Sequence, residues 1–216
     1  MSIPILIIGK SGSGKSASMR NFSADEIDVI NVERKPLPFR NKIKTIDTDN
    51  YRDVAKAIKH STKPVIVVDD AGYLITNAFM RGHASQGGGN AMFSFYNQLA
   101  DEFWKLITFA KSLEDNNKIV YFIMHESKSD YGDIKPKTIG KLLDDKVTIE
   151  GMFTIVLRSV THDGKYFFRT HTDGFDVAKS PIGLFEEDEI DNDLKMVDNT
   201  IREYYEMVGQ NEKTEA

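Results

Sequence analysis

Residues 9–16 combine glycines, a lysine and a serine at a spacing that suits phosphate binding. The run Gly9-Lys10-Ser11-Gly12-Ser13-Gly14-Lys15-Ser16 fits G-x-x-x-x-G-K-[ST] at every fixed position. Glycines let backbone N–H groups surround phosphates, aided by the positive end of a following helix. Lys15 is expected to reach the terminal phosphates, and Ser16 to hold Mg²⁺. The predicted ATP site consists of Gly9, Ser11, Gly12, Ser13, Gly14, Lys15, Ser16 and Ala17.

Two adjacent carboxylates follow a second apolar run. Val65-Ile66-Val67-Val68 leads directly into Asp69 and Asp70. An uninterrupted β-branched run is typical of a strand buried on both faces of a parallel sheet. A strand that ends on an acid matches the Walker B pattern, in which the carboxylate holds Mg²⁺. We therefore expect Asp69 to be a metal ligand, the alternative being a buried strand with a solvated acidic turn.

The elements that must position these residues alternate between strands and helices. Ile3-Pro4-Ile5-Leu6-Ile7-Ile8 predicts the strand before the phosphate loop, and 17–22 a short helix after it. This alternation indicates an α/β fold with a mostly parallel, doubly wound sheet flanked by helices, whose ligands bind at the strands' carboxyl edge. Further predictions are a strand over 28–33, helices over 73–80 and 92–113, a strand over 119–124, a β-hairpin around 162–165 and a C-terminal helix over 190–207. Residues 1–209 are expected to form one domain, and 210–216 a disordered tail.

Composition narrows the class of protein. The 216 residues are 40% hydrophobic and 28% charged, which suits a globular domain with a full-sized core. Cysteine is absent, which excludes disulfides, thiolate metal sites and a cysteine nucleophile. The net charge of −5 argues against coating nucleic acid through bulk charge, but not against basic loops. With no signal peptide and no apolar run of membrane-spanning length, we expect a cytoplasmic protein without membrane contact.

The order of polar features along the chain resembles that of RecA-like ATPases. After the phosphate loop come Glu33 behind an apolar strand, Asp69, a glycine-rich loop over 81–90, His125 at a strand end, and a lysine-bearing loop over 126–146. In that family a glutamate in the place of Glu33 positions the attacking water. The two loops bind DNA, and the residue in the place of His125 senses the γ-phosphate. A lysine in a segment like 174–185 enters the neighbouring subunit's nucleotide site, which would be Lys179.

The resemblance leaves several roles open. Asp70 occupies the place where AAA+ proteins keep a glutamate, so it competes with Glu33 as catalytic base. Because the Asp70 side chain is one methylene shorter, water activation from it would need an altered geometry, and the sequence favours Glu33. His125 could instead be a polar strand cap, and Lys179 an ordinary surface lysine. The alternative for the two loops is that their polar side chains are simply solvated. The DNA contacts that the resemblance implies in these loops are Arg81, His83, Lys128, Tyr131, Lys135 and Lys137.

Size and layout are similar to those of phage-encoded, single-domain RecA-like ATPases of the Sak-type group, associated with single-strand annealing and homologous recombination. The resemblance implies single-stranded DNA as a partner, a homo-oligomer with nucleotide at subunit interfaces, and contact with a single-strand-binding or other recombination protein. A loader or accessory ATPase of a replication protein is the alternative. A small-molecule kinase is disfavoured, because such kinases carry an arginine-bearing lid and no arginine lies between Arg81 and Arg158.

Overall fold

A computed structural model of the chain describes residues 1–139 and 147–207. The predicted disordered tail over 210–216, the last residues of the predicted domain, and Lys141 and Lys146 of the second loop lie outside the described residues. No helix within the described ranges is both long and apolar enough to cross a membrane.

Nine strands form the sheet within the described ranges. They are β1 (Ile3–Gly9), β2 (Ile27–Asn31), β3 (Thr45–Asp47), β4 (Val65–Asp69), β5 (Ile119–Lys128), β6 (Ile134–Pro136), β7 (Ile155–His162), β8 (Lys165–Arg169) and β9 (Glu189–Asp191). The order is β3-β2-β4-β5-β1-β7-β8-β9, and β6 pairs with β5. The six strands from β3 to β7 in this order are mutually parallel, whereas β8 pairs antiparallel with β7 and β9 pairs antiparallel with β8. The predicted mostly parallel sheet is confirmed.

Both faces of the sheet are covered, because alternate residues of its central strands enter two separate cores. Leu6 and Ile8 of β1 pack with α1 (Tyr51–His60), α2 (Gly72–Gly82) and α3 (Asn90–Ser112). Ile5 and Ile7 pack on the opposite side with α4 (Leu194–Tyr204) and the segment after the phosphate loop. The continuous apolar runs in the sequence follow from this double burial.

Several element boundaries differ from the sequence expectation. The short helix after the phosphate loop is a 3-10 helix over Ser16–Asn21. Strand β2 ends at Asn31, so the prediction of a strand ending on Glu33 is wrong. The C-terminal helix begins at Leu194, because the Asp193 side chain accepts hydrogen bonds from the amides of Lys195 and Met196 and caps it, while Ile190 belongs to β9.

The two predicted loops carry more regular structure than their composition suggested. In the first, α2 continues to Gly82 and a 3-10 turn follows over His83–Ser85. In the second, β5 runs on to Lys128 and turns back into β6, with Ser127 opposite Lys135. We refer to residues 126–136 as the β5–β6 hairpin.

A buried polar network anchors α4 to the sheet. Tyr121 of β5 donates its hydroxyl hydrogen to Asp198, at 2.9 Å. Arg202 Nε donates to the other oxygen of Asp198 at 2.6 Å, and its NH1 and NH2 groups reach Asn117 and the carbonyl of Pro64. Because all three buried partners are satisfied, the network links the C-terminal helix to β5 and to the loop before β4.

Candidate active site

A cavity of about 430 Å³ opens at the carboxyl ends of β1, β4 and β5, where Gly9 pairs with His125. Its size is in the range of small-molecule sites. A larger cavity, of about 870 Å³, lies at the other end of β1 around Met1–Pro4, away from the phosphate loop. We assign the site by chemistry and not by size. The phosphate loop lines the smaller cavity with Ser11, Gly12, Gly14, Lys15, Ser16 and Ala17, and other elements contribute Asn31, Lys35, Pro36, Pro38, Asp69, Asp70, His125 and Tyr166.

Glycine is required at two positions of the phosphate loop. A Cβ on Gly9 would lie 2.5 Å from the Ser13 hydroxyl and 2.7 Å from the carbonyl oxygen of Ser159. Gly14 has φ +92°, and a Cβ there would meet the Tyr166 ring at 2.8 Å. Ser13 is buried in the loop, where Ser159 Oγ donates to its carbonyl at 2.5 Å, and its own hydroxyl has no hydrogen-bond partner among the described residues. The loop is therefore shaped by its contacts with β7 and β8.

The Lys15 ammonium lies in the centre of the loop. It donates hydrogen bonds to the carbonyl oxygens of Gly9, at 2.9 Å, and Lys10, at 2.7 Å. Burial lowers its pKa, which the nearby charges of Asp70 and Asp69 oppose. A buried cation that donates to neutral carbonyl oxygens is well suited to an anionic phosphate, which would balance its charge.

The two predicted metal ligands are in direct contact. The Ser16 hydroxyl donates to Asp69 Oδ1 at 2.8 Å. Burial, and then the charge of Asp70, raise the pKa of Asp69 to about 6. A hydroxyl and a carboxylate are the hard oxygen ligands that Mg²⁺ prefers, and a dication would offset the cost of burying this carboxylate. The residues fit the metal, and bound Mg²⁺ would neutralise phosphate charge during hydrolysis.

Replacing Asp69 by asparagine is expected to stabilise the nucleotide-free protein at pH 7.5. Because the folded pKa of about 6 lies above the ordinary 3.8, the stabilising contribution of this group is complete below pH 3.8 and is lost as the pH rises through about 6. Two pKa units correspond to roughly 3 kcal/mol, a loss that asparagine avoids. Thermal unfolding in EDTA should show Asp69→Asn above the wild type at pH 7.5, with a smaller difference at pH 4.5. Asp101→Asn, at a half-exposed helix position, is the control, and a lower melting temperature for Asp69→Asn at pH 7.5 would contradict the prediction.

Asp70 is held by two side chains that line the same cavity. Lys35 Nζ lies 2.9 Å from its Oδ2, and His125 Nε2 lies 3.4 Å from its Oδ1. Burial acts to raise the pKa of Asp70, but the hydrogen bonds from His125 and Lys35 outweigh it and lower the pKa to about 2. Asp70 also has φ +58°, a left-handed conformation that is uncommon outside glycine. The carboxylate is ionised and oriented at the cavity, next to His125.

Glu33 is not among the residues that line this cavity. It lies in the turn beyond β2, where its Oε1 accepts a hydrogen bond from Asn77 Nδ2 at 3.0 Å. The same Asn77 amide donates to Asp49, at 3.1 Å. The structure therefore brings Asp70 and His125 to the phosphate loop and leaves Glu33 in a neighbouring polar cluster.

Lys179 also lies away from the chain's own phosphate loop. Its backbone forms a β-bridge with Val156, near the start of β7, whereas the loop lies level with Ser159. Burial and the charge of Lys179 together lower the pKa of Lys111, which places the two ammonium groups near each other. A role for Lys179 at a phosphate would have to be exerted on a second subunit, and this stays a prediction.

The predicted contacts of the second loop lie on the β5–β6 hairpin and just after it. Lys128 and Lys135 are exposed on the two strands, and Tyr131 at the tip is 92% exposed. The tip is ordered by the Ser129 amide, which donates to the carbonyl of Asp133 at 2.8 Å. Lys137 is exposed, and its amide donates to the carbonyl of His125 at 2.7 Å.

The base of the hairpin is fixed by buried ion pairs. Arg158 of β7 donates to Glu126 at 2.9 Å and to Asp176 at 3.2 Å. The Glu126 and Asp176 side chains are 3% and 0% exposed. Since Glu126 directly follows His125, these pairs join the hairpin base, β7 and the segment around Asp176 at the edge of the cavity.

The two predicted DNA contacts of the first loop have protein partners. The Arg81 guanidinium pairs with Asp49, and its side chain is 57% exposed. The His83 ring stacks on Phe79 with centroids 5.0 Å apart. The Arg81 side chain is therefore engaged by Asp49, and the His83 ring by Phe79.

Sequence reasoning missed three residues. Lys35 and Tyr166 line the cavity. Phe175 lies beside the hairpin, where its carbonyl oxygen accepts a hydrogen bond from the Ile134 amide at 2.7 Å, and the residue is 62% exposed. The basic, proline-containing composition of 34–40 was a signal for Lys35. Nothing in the sequence pattern places Tyr166 or Phe175 at these positions, because both depend on long-range strand pairing.

Comparison with known proteins supports the chemistry of the site. The sequence model of a protein family described as an AAA domain matches residues 1–182. The matched range includes the phosphate loop, Asp69, Asp70 and His125. No curated protein matches the chain.

Proposed function

This chain belongs to the AAA domain family of P-loop ATPases, and from that premise we propose that it hydrolyses ATP on single-stranded DNA. Nucleotide binding and ATPase activity are properties of the family. The proposed biological setting is homologous recombination or strand annealing of the phage RecA-like type, with Mg²⁺ as the metal ion.

The observation that carries the proposal is the β5–β6 hairpin. Its tip carries Tyr131, which is 92% exposed, and the 62% exposed Phe175 lies beside the tip, since a Cβ built on Gly132 would lie 4.0 Å from the Phe175 ring. Lys128 and Lys135 lie exposed on the two strands of the hairpin, and the exposed Lys137 follows directly after it. Aromatic faces stack on bases of any sequence and lysines contact the phosphates between them, which is the usual chemistry of single-strand binding.

The hairpin is continuous with the phosphate site. His125, which contacts Asp70, and Lys128 belong to the same strand, separated by three residues or about 10 Å. The Lys137 amide returns to the His125 carbonyl at 2.7 Å. The hairpin is therefore linked to His125 and Asp70 over a short distance, and a nucleic acid that binds the hairpin would contact an element that also carries residues of the phosphate site.

We assign the catalytic base to Asp70 and the γ-phosphate sensor to His125. Asp70 is ionised, faces the cavity and is in contact with His125. A general base must lie within hydrogen-bonding reach of the attacking water, which favours Asp70 over Glu33 in this arrangement. Lys15 remains the phosphate-binding lysine, and Ser16 and Asp69 the metal ligands.

Assembly completes the proposal. A homo-oligomer with nucleotide at subunit interfaces would bring Lys179 to a neighbouring site, where its charge could stabilise the transferring phosphoryl group. A single-strand-binding or other recombination protein is the expected further partner. The second candidate, a loader or accessory ATPase of a replication protein, is favoured by the acidic run over 186–189, a surface suited to docking another protein.

The first experiment is the ATPase rate of the purified protein with and without a single-stranded DNA oligonucleotide, with Lys15→Ala as the blank. Stimulation by DNA supports the recombination function. A rate that DNA does not change transfers support to the loader, and an absence of hydrolysis under both conditions contradicts the ATPase assignment.

Removing Lys135 of the hairpin and Lys137 directly after it is expected to weaken DNA binding without changing hydrolysis. The double variant Lys135→Ala/Lys137→Ala should bind a single-stranded oligonucleotide about tenfold more weakly, since each lost phosphate contact weakens binding. Its DNA-free ATPase rate should stay within about twofold of the wild type, because neither lysine lines the cavity. Fluorescence anisotropy and phosphate release measure the two quantities.

The matched control is Lys42→Ala/Lys44→Ala, two exposed lysines at the same spacing but remote from the hairpin in sequence. Tyr131→Ala tests stacking separately, with an expected cost of about 1–3 kcal/mol in DNA binding. If the 42/44 variant lost as much affinity as the 135/137 variant, the binding would be nonspecific and the hairpin assignment would be withdrawn.

A further inference from the structure

A second lysine lies at the cavity besides the one in the phosphate loop. Lys35 lines the same cavity as Lys15, and the Lys35 charge is one of the factors that lower the pKa of Lys15, after burial. Lys35 comes from the 34–40 loop after β2, which lines the cavity together with the phosphate loop. Two ammonium groups therefore face one space of about 430 Å³.

The Lys35 ammonium is held in place although its side chain is 56% exposed. The Asn31 side chain donates to the Lys35 carbonyl at 2.7 Å and accepts from the Lys35 amide at 3.3 Å, which fixes the backbone. The ammonium lies 2.9 Å from Asp70 and 5.2 Å from the centroid of the Tyr73 ring. Three side chains, those of Asn31, Asp70 and Tyr73, thus orient Lys35, whereas a lysine at an unconstrained surface position would be mobile.

The position of Lys35 identifies the part of the nucleotide that it would meet. Lys15 and Ser16 define where the terminal phosphates and metal ion sit. Asp70 and His125 lie beyond them, at the end where water would attack. Because the Lys35 ammonium forms an ion pair with Asp70, it lies at the end of the cavity where the γ-phosphate would bind and not at the end where the nucleobase would bind.

We propose that Lys35 binds the γ-phosphate and gives the site its preference for a triphosphate over a diphosphate. On binding, the hydrogen bond that Lys35 donates to Asp70 passes to a γ-phosphate oxygen. Asp70 is then free to accept a hydrogen bond from water. This inference rests on the proposed nucleotide site, and it adds a residue that neither the loop motif nor the Walker B strand supplies.

The test compares the affinities of a non-hydrolysable ATP analogue and of ADP, both with Mg²⁺, by isothermal titration calorimetry. Lys35→Ala should bind the analogue about tenfold more weakly and ADP within about twofold of the wild type, because a hydrogen bond to a charged group is lost only with the triphosphate. Lys35→Arg should recover most of the analogue affinity. Lys42→Ala, a nearby exposed lysine outside the cavity, is the matched control.

A second variant removes an electrostatic ambiguity. Lys35→Ala also leaves Asp70 without its ion-pair partner, and the uncompensated carboxylate would itself repel the analogue. In an Asp70→Asn background this repulsion is absent, so a tenfold loss that persists there is due to Lys35 itself. Circular dichroism melts check that each variant is folded.

Four outcomes overturn the inference. Equal weakening of analogue and ADP would make Lys35 a general attractor of anions, and unchanged affinities would remove it from the site. Loss of the effect in the Asp70→Asn background would assign it to repulsion. A wild-type protein that binds neither nucleotide would overturn the proposed function as well, so the two failures are distinguishable.

Discussion

Asp70→Asn should lower the turnover number by at least about a hundredfold while leaving nucleotide affinity within a few-fold of the wild type. Loss of a positioned general base typically costs a factor of about 10²–10⁴ in rate. Asparagine keeps the shape of the side chain and tolerates the left-handed φ of +58° at this position. Steady-state phosphate release and calorimetry with a non-hydrolysable analogue measure the two quantities.

Glu33→Gln tests the rival assignment under the same conditions. The glutamine can still accept the hydrogen bond from Asn77, so the local structure is preserved. We expect its turnover number to stay within about threefold of the wild type, in keeping with a side chain outside the cavity. A loss of turnover in Glu33→Gln with normal turnover in Asp70→Asn would return the base to Glu33.

Arg202→Ala should destabilise the protein by about 3–5 kcal/mol, since removing one partner of a buried pair leaves the other charge uncompensated. Arg202 is 5% exposed and Asp198 is 1% exposed. The substitution also leaves the carbonyls of Asn117 and Pro64 without this donor. Urea unfolding followed by circular dichroism measures the change in the free energy of unfolding.

The double variant Asp198→Asn/Arg202→Met is the informative comparison. Burial raises the pKa of Asp198 despite the neighbouring Arg202, so keeping this carboxylate charged is costly in the fold. Removing both charges should therefore cost less than Arg202→Ala alone. Arg52→Ala, at an exposed position of α1, should change stability by less than about 0.5 kcal/mol. A double variant less stable than the single one would contradict this account.

The phosphate loop, the contact of Ser16 with Asp69 and the central strands could be predicted from the sequence, because their signals are local. A fixed spacing around Lys15 and uninterrupted apolar runs in β1, β4 and β5 specify both the residues and the edge of the sheet where they meet. The contact between Ser16 and Asp69 follows from that arrangement.

The position of the Glu33 side chain could not be predicted, because it depends on left-handed backbone conformations at residues that rarely adopt them. Arg34, directly after it, has φ +55°, and Asp70 has φ +58°. A glycine at either position would have signalled a turn strongly, whereas aspartate does so only weakly and arginine does not. These two left-handed residues turn Glu33 toward Asn77 and present Asp70 and Lys35 to the cavity.

The C-terminal region was misread for a different reason. The helical spacing of apolar residues continues back to Ile190 and predicts a helix from there, although Asp193 is a typical helix cap. Ile190 instead pairs with Phe168 in β9. Pairing between residues more than twenty positions apart overrides a local pattern, and single-sequence periodicity does not detect it.

The buried ion pairs under the hairpin determine how ionic strength would act on DNA binding. Glu126, Arg158 and Asp176 are shielded from solvent, so added salt screens them far less than the exposed lysines above them. The hairpin would keep its shape while its lysine–phosphate contacts weakened. The slope of log affinity against log salt concentration would then count those contacts directly, at about 0.7 per lysine on a single strand.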